Sequence, residues 1–210
     1  GSGRKGGSHG HNGRLMQAVD PLWASTCVKG GLSSGEGIVH HVRDPKVQDG
    51  EITDPGIPDK RLLCYEPEFA SVLAVMQRRG SILSTQLRQA WDAGDLNVLT
   101  KNSPERASGV HLSLLAHITP EELKVSLSDL QAANGYGNRH IFIWVERRQL
   151  LPEGGGLPTF DSTVPHLQRV LDKARQPHLF ERDDEAKAVW AKVYPELTAD
   201  RPGITGAITA

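Results

Sequence analysis

The sequence has little of what defines several large protein classes. Its 210 residues include two cysteines, Cys27 and Cys64, and no CxxC pair, which excludes a scaffold stabilised by disulfides and favours the reducing cytoplasm. The longest strongly apolar run, from Ile141 to Val145, is far too short to cross a bilayer, and no signal peptide opens the chain. We therefore predict a cytoplasmic protein with no membrane partner.

The chain also lacks an excess of charge of either sign. Lysine and arginine number 24 against 25 acidic residues, so the net charge of −1 predicts no general attraction to nucleic acid or anionic lipid. Apolar residues make up 38% and charged residues 23%, as in folded globular proteins. The length is sufficient for one α/β domain with a genuine core or for two small ones. Because the net charge is close to zero, any phosphate-binding surface must be local.

Both ends of the sequence are unusual. It opens on Gly-Ser-Gly-Arg-Lys-Gly-Gly-Ser without a methionine and ends in an apolar stretch at Ala210. Natural termini are more often polar and frayed. We therefore expect this chain to be an excerpt of a longer protein, truncated at both ends.

The first sixty residues contain mostly loop signals. A glycine-rich loop is predicted over 1–13, followed by a short helix over 15–22 and an extended stretch over 25–28. The segment 44–59 is rich in Asp, Gly and Pro, which predicts a polar surface loop.

Strand and helix patterns alternate in the middle of the chain. The apolar run 61–66 predicts a buried strand, and Pro67 then opens a helix that ends before Gly80. An apolar strand over 110–118 precedes a second helix, which Thr119 caps with the help of Glu122.

The last third of the chain continues this alternation. A third strand is predicted over 140–145, which is rich in β-branched and aromatic residues, and two amphipathic helices follow in the tail, one around 167–174 and one around 186–193. The whole pattern predicts an α/β fold with a largely parallel sheet flanked by helices.

The glycine-rich opening is the first candidate for a phosphate site. Backbone N–H groups of such a loop, followed by a helix, can surround phosphate oxygens, with Lys5 supplying positive charge and Ser8 a hydroxyl for Mg²⁺. The order Lys5-Gly6-Gly7-Ser8 departs from the usual Gly-Lys-Ser/Thr, and a flexible linker or expression scar fits the same residues.

Acidic and histidine side chains at predicted strand ends are the second set of candidates. Active sites of parallel sheets lie at the carboxyl ends of the strands, which singles out Glu66 and His117. Glu66 would order magnesium hydration or polarise a water, although an acid there also complements a helix macrodipole. Glu36, between Gly35 and Gly37, would approach a ligand closely or be a solvated turn acid. His117 would equally be an ordinary loop histidine.

Other chemistry has less support in the sequence. The histidine pairs do not supply the ligands of a zinc site, no Gly-x-Ser-x-Gly motif indicates a serine nucleophile, and basic residues do not alternate with aromatics as in nucleic-acid readers. Arg139 is distinctive among the basic residues because it follows Gly137-Asn138 and enters the predicted third strand.

Taken in order, the motifs resemble those of a known family. They are the segments Arg4–Ser8, Lys29–Gly37, Val42–Asp44, Leu62–Phe69, Leu99–Ser103, His117–Thr119 and Ala133–Arg139. Together they resemble the YfjI-like family of phage, plasmid and actinobacterial proteins. That family belongs to the P-loop NTPases, is similar to the hexameric RepA-type helicases, and often follows a primase–polymerase domain. The resemblance covers nearly the whole chain.

This resemblance implies a RecA-like P-loop NTPase that uses ATP and Mg²⁺. Lys5, Gly6, Gly7 and Ser8 match the phosphate loop, so these residues would hold the phosphates. Glu66 matches the acid of the second nucleotide motif. Ser8 and Glu66 would therefore face the magnesium ion.

Three further residues receive roles from the same resemblance. Glu36 matches the acidic position that can activate the attacking water in RecA-like motors. His117 would sense the γ-phosphate, and Arg139 would reach the nucleotide of a neighbouring subunit.

For the whole chain, the resemblance implies a RecA-like nucleotide-binding core over 1–150 and a C-terminal helical extension of the same domain over 151–210. The implied function is that of an ATPase motor domain in a replication-associated, helicase-like protein. Its partners would be further copies in a homo-oligomeric ring, single-stranded DNA and a primase domain. The inverted order of the phosphate loop motivates an alternative, a catalytically inactive scaffold of a replication or primase complex. A nucleotide or small-molecule transferase is a third possibility.

Overall fold

The computed structural model describes residues 5–100, 104–127, 134–146, 152–153, 155–176 and 179–199. Its helices are α1 Lys5–Val19, α2 Pro21–Thr26, α3 Gly35–His41, α4 Phe69–Met76, α5 Leu83–Asp92, α6 Pro120–Ser126, α7 Thr163–Ala174 and α8 Asp184–Leu197, with a 3₁₀ turn at Gly137–Arg139. Its strands are β1 Val28–Lys29, β2 Lys46–Gln48, β3 Glu51–Asp54, β4 Arg61–Glu66, β5 Leu96–Val98, β6 Glu105–Ala107 and β7 His111–Ala116.

A parallel sheet in the order β1-β4-β7 forms the centre of the fold. In register, Val28 lies opposite Leu63, and Glu66 lies opposite Ala116. Two antiparallel pairs, β2 with β3 and β5 with β6, lie outside this sheet. The chain is therefore an α/β protein whose parallel strands all end at one edge.

One face of the sheet carries the hydrophobic core. Along β4 the side chains alternate, so that Leu62 and Cys64 are buried against residues of α3, α4 and α5. Fully buried members of this core include Ile38, Val39, Val42, Val72, Leu73, Leu83 and Tyr136. This continuous apolar cluster is what holds β4 at the middle of the sheet.

The opposite face of the sheet is covered less completely. Leu115 on this face keeps 45% of its surface exposed. Tyr65 on the same face stacks against His9, which belongs to α1. Helices therefore lie on both sides of the sheet, as the alternation of patterns predicted.

The central elements follow the sequence prediction closely. The predicted strand 61–66 is β4 residue for residue, and the strand predicted over 110–118 is β7. The capping box is present: the Thr119 hydroxyl accepts from the Glu122 N–H, and the Glu122 carboxylate accepts from the Thr119 N–H. The helix assigned to Pro67 begins two residues later, at Phe69.

The prediction of a third strand over 140–145 is wrong. Residues 141–146 have no regular structure, and Ile141 is 91% exposed. A β-strand requires a neighbouring strand to pair its backbone groups, and no such ladder forms here among the described residues. Arg139 consequently does not enter a buried strand but ends a 3₁₀ turn.

The predicted loops of the first sixty residues also need correction. The glycine-rich segment is helical from Lys5 onward, so α1 replaces most of the loop predicted over 1–13, and the short helix over 15–22 is divided between α1 and α2. The segment 44–59 contains the β2–β3 pair. Helix α5 and the β5–β6 pair were not predicted.

The tail contains the two predicted amphipathic helices, α7 and α8. Contacts join the first of them to the N-terminal helices: the Arg175 Nη2 donates to Asp20 Oδ2 at 3.0 Å, and Arg14 lies 5.6 Å above the ring of Phe160. None of the helices in the described part of the chain has the length and apolarity to span a membrane.

Several predicted features lie outside the described residues. These are the boundary between 1–150 and 151–210, the C-terminal stretch that ends at Ala210, and the motif positions Arg4, 101–103 and Ala133.

Candidate functional site

The carboxyl ends of β4 and β7 bring Glu66 and His117 side by side. The His117 N–H donates to the Glu66 carbonyl oxygen at 2.9 Å, which extends the ladder between the two strands by one bond. The His117 carbonyl oxygen accepts from the Phe69 N–H, also at 2.9 Å. Two residues predicted from their positions at strand ends therefore share one edge of the sheet.

Glu66 is a buried acid, with 5% of its surface exposed. Its Oε1 accepts from the backbone N–H of Leu32 at 2.7 Å. Burial of a carboxylate is costly unless hydrogen bonds replace its water, and this N–H supplies one of them. The contact also fixes the loop that follows β1 to the end of β4.

The same loop approaches β4 closely through Gly30. A Cβ atom at this position would lie 2.7 Å from the carbonyl oxygen of Tyr65, so only glycine fits without a shift of one strand. The close approach explains how the Leu32 N–H reaches Glu66.

Helix α3 begins where this loop ends. The Ser34 hydroxyl caps it by accepting from the Gly37 N–H at 3.0 Å, and Glu36 lies exposed in its first turn. The sequence prediction placed Glu36 in a loop, whereas the structure places it on a helix, where its charge complements the macrodipole. Glu36 lies four residues after Leu32, whose N–H contacts Glu66.

A small cavity of about 80 Å³ lies beneath the loop. Its lining includes Lys29, the loop residues Gly30–Ser34, and His41 and Cys64. Burial, and to a lesser extent the charge of the nearby Glu66, raises the pKa of the Cys64 thiol to about 12, so Cys64 stays protonated at neutral pH. Burial, followed by the charge of Lys29, lowers the pKa of His41.

Helix α1 reaches the same edge through an aromatic contact. The ring of His9 stacks on the ring of Tyr65, with centroids 3.3 Å apart and planes 3° from parallel. The Tyr65 hydroxyl lies 3.4 Å from Nδ1 of His117. The predicted phosphate-loop residues Lys5, Gly6, Gly7 and Ser8 form the start of α1, immediately before His9.

Arg139 lies apart from this edge and is engaged within its own chain. Its Nη2 contacts Asp92 Oδ1 at 2.7 Å and Oδ2 at 2.9 Å, while its Nη1 donates to the Gly135 carbonyl oxygen at 2.7 Å. These bonds tie the 3₁₀ turn to α5. Reaching the nucleotide of a neighbouring subunit would require the Asp92 pair to open.

Glu66 and Ser8 are the two residues that the sequence analysis assigned to a magnesium ion. Among the described residues, no group of three or more His, Cys, Asp or Glu side chains could hold a metal ion. Magnesium in nucleotide sites needs only one or two carboxylates, together with substrate phosphates and water. Glu66 offers a preformed carboxylate at the sheet edge, and Ser8 is an exposed hydroxyl at the start of α1.

Sequence reasoning missed Tyr65 and His9. Because successive side chains along a strand point to opposite faces, the sequence alone places Tyr65 on the face of the sheet opposite Glu66. The position of His9 depends on how α1 packs, which no local pattern specifies.

No family model, curated protein or solved structure matches the chain.

Proposed function

We propose that the chain is a nucleotide-binding domain that hydrolyses ATP with Mg²⁺, the motor domain of a helicase-like ATPase with a RecA-like core. One observation carries the proposal: a buried carboxylate, Glu66, ends the middle strand of a parallel sheet, and His9 of α1 stacks on the neighbouring Tyr65. Ligands of open parallel sheets bind outside the carboxyl ends of the strands, and helix N-termini favour phosphate.

Each group at the site has its own role in phosphoryl transfer. Lys5 and the backbone N–H groups that open α1 would bind the phosphates, and Ser8 and Glu66 would hold the magnesium ion. Magnesium, when bound, supplies neutralisation of the phosphate charge. Glu66 or Glu36 orients the attacking water, and His117 donates to the γ-phosphate.

The resemblance supports the wider assignments. We place the protein in the cytoplasm, in a homo-oligomeric ring that works with single-stranded DNA and a primase domain, with Arg139 reaching a neighbouring nucleotide after release from Asp92. The two cysteines are free thiols in the structure, which agrees with a reducing compartment.

Nucleotide binding and turnover by the 210-residue chain test the proposal. MgATP should raise the thermal midpoint of the unaltered chain, and Lys5→Ala should abolish that increase because it removes the charge that binds the phosphates. If Lys5→Ala binds ATP as well as the parent does, the phosphate site is assigned wrongly.

Glu66→Gln separates turnover from folding. The amide keeps an oxygen that can accept from the Leu32 N–H, so the fold should persist while ATP turnover falls by about 100-fold or more. Glu68→Gln is the matched control, an exposed acid two residues away, and should keep full turnover. Binding without turnover in the parent would favour the inactive scaffold instead.

A further inference from the structure

Tyr65 occupies a central position at the candidate site, yet the proposed function gives it no role. Its ring is stacked against His9 on one side, and the ring of His117 meets it edge-on, with centroids 5.6 Å apart and planes 81° apart. Its backbone lies in β4, which is paired on both sides by β1 and β7. These contacts hold the Tyr65 ring, and with it the hydroxyl group, in place.

The backbone of His117 is also fixed. Its N–H donates to Glu66 and its carbonyl oxygen accepts from Phe69. The Tyr65 hydroxyl lies 3.4 Å from Nδ1 of the His117 ring, close enough to act on both the rotation of the ring and the nitrogen that carries the proton.

We propose that Tyr65 is a positioning residue that holds His117 as the Nε2–H tautomer, oriented to donate to a phosphate. A phenol is a better proton donor than a neutral imidazole N–H, and an imidazole nitrogen is a better acceptor than a phenol oxygen. The bond therefore runs from the Tyr65 O–H to Nδ1, which leaves the ring proton on Nε2. The phosphate-directed part of this inference rests on the proposed function.

The stack with His9 extends this arrangement to α1. His9 follows Ser8 directly and lies about one helical turn after Lys5, so its position is coupled to that of both. Tyr65 thus touches the helix that would hold the phosphates on one side and the histidine that would sense them on the other. One side chain aligns two parts of the site.

Nitrogen-15 NMR of the histidine rings tests the tautomer directly. It is measured on the full chain without nucleotide, at a fixed pH well above the ordinary pKa of histidine. The unaltered chain should show His117 with its proton on Nε2. Tyr65→Phe keeps the aromatic ring for the stack but removes the hydroxyl, so His117 should become a mixture of tautomers. His117 found mainly as the Nδ1–H form, or with an unchanged tautomer in Tyr65→Phe, would overturn the inference.

Two control variants separate the effect of the Tyr65 hydroxyl on the His117 tautomer from the effect of a general change in structure. Tyr194→Phe removes a hydroxyl from the exposed face of α8 and should leave His117 unchanged. His9→Ala removes the stack but not the hydroxyl, so His117 should keep its tautomer. A change of tautomer in Tyr194→Phe would show that the signal does not report the Tyr65 bond, which contradicts the proposal.

Measurement of ATP turnover separates the positioning role of Tyr65 from the proposed phosphate role of His117. With MgATP as the probe, Tyr65→Phe should lower kcat by about tenfold, the effect of one hydrogen bond worth about 1.4 kcal/mol, and should change KM little. A parent that shows the Nε2–H tautomer but neither binds nor hydrolyses ATP would refute the proposed function and the phosphate role, while the control of the ring by Tyr65 would stand. Active enzyme with an unaltered tautomer and kcat in Tyr65→Phe would refute the positioning role alone.

Discussion

Replacing Asp44 by asparagine should destabilise the fold by about 2 kcal/mol at neutral pH, because its charge anchors the approach to β4. Asp44 Oδ1 accepts from Lys60 Nζ at 2.8 Å and from the Ser108 N–H at 3.1 Å, and Oδ2 accepts from the Ser108 hydroxyl. The same Lys60 ammonium donates to the carbonyl oxygens of Val42 and Arg43, each at 2.8 Å. One charge pair thus joins the end of α3 to the start of β4.

The magnitude follows from the acidity of the Asp44 carboxyl, whose side chain is 22% exposed. Partial burial opposes ionisation, but the hydrogen bonds from Lys60 and Ser108 outweigh it and lower the pKa from 3.8 to about 2. At about 1.4 kcal/mol per pH unit, that difference corresponds to about 2 kcal/mol of stability at pH 7. Because the folded pKa lies below the unfolded one, this stability is complete above about pH 4 and is lost as the pH falls through about 2; about half remains at pH 3.

Urea unfolding of the parent and Asp44→Asn at pH 7, 4 and 3 measures this directly. The difference in unfolding free energy should shrink toward low pH. Asp172→Asn is the control, since its carboxylate is 72% exposed and pairs with Arg175 within one helix, and it should change stability by less than about 0.5 kcal/mol. A difference that stays constant with pH, or one below about 0.5 kcal/mol at pH 7, would refute the reasoning.

Two further predictions concern buried positions. Tyr136→Phe should leave the unfolding free energy unchanged or raise it by up to about 1 kcal/mol, because the Tyr136 hydroxyl is buried without a hydrogen-bond partner in the described part of the chain; a loss above about 1 kcal/mol by urea unfolding would contradict this. Gly56→Ala should cost more than about 2 kcal/mol, since Gly56 has φ +65° and a Cβ would lie 2.6 Å from backbone atoms of Asp44 and Pro45. Gly50→Ala, at φ +85° in open space, should cost only about 1 kcal/mol, and equal losses for the two glycines would show that crowding plays no part.

Local patterns predicted the elements whose signals are complete within a few residues. Strand β4 is a short apolar run that follows a breaker-rich loop, and the Thr119–Glu122 capping box needs only four consecutive residues. The run 140–145 is rich in β-branched and aromatic residues but has no neighbouring strand among the described residues, so its composition alone gave a wrong prediction. Strand formation depends on partners that the local sequence does not reveal.

The residues of the candidate site also fall into those that local sequence patterns predict and those that they do not. Glu66 and His117 were found because strand ends are visible in the sequence and a parallel sheet brings them to one edge. The Leu32 N–H, His9 and Tyr65 were not found, because each contributes through a tertiary contact: a bond to a carboxylate 34 residues away, or a ring stack between a helix and a strand. Arg139 was found as an unusual residue, but its bond to Asp92 was not foreseen.

Helix α1 contains glycine at four of its first nine positions, Gly6, Gly7, Gly10 and Gly13. Each weakens a helix by about 1 kcal/mol relative to alanine, so this half of α1 has little intrinsic tendency to form and depends on tertiary contacts such as the His9–Tyr65 stack. It should open and close as a local unit while the sheet stays folded, and its amides should exchange with solvent hydrogen sooner than those of β4. Any ligand that requires the closed helix therefore binds with an apparent affinity reduced by the fraction of time the helix is open.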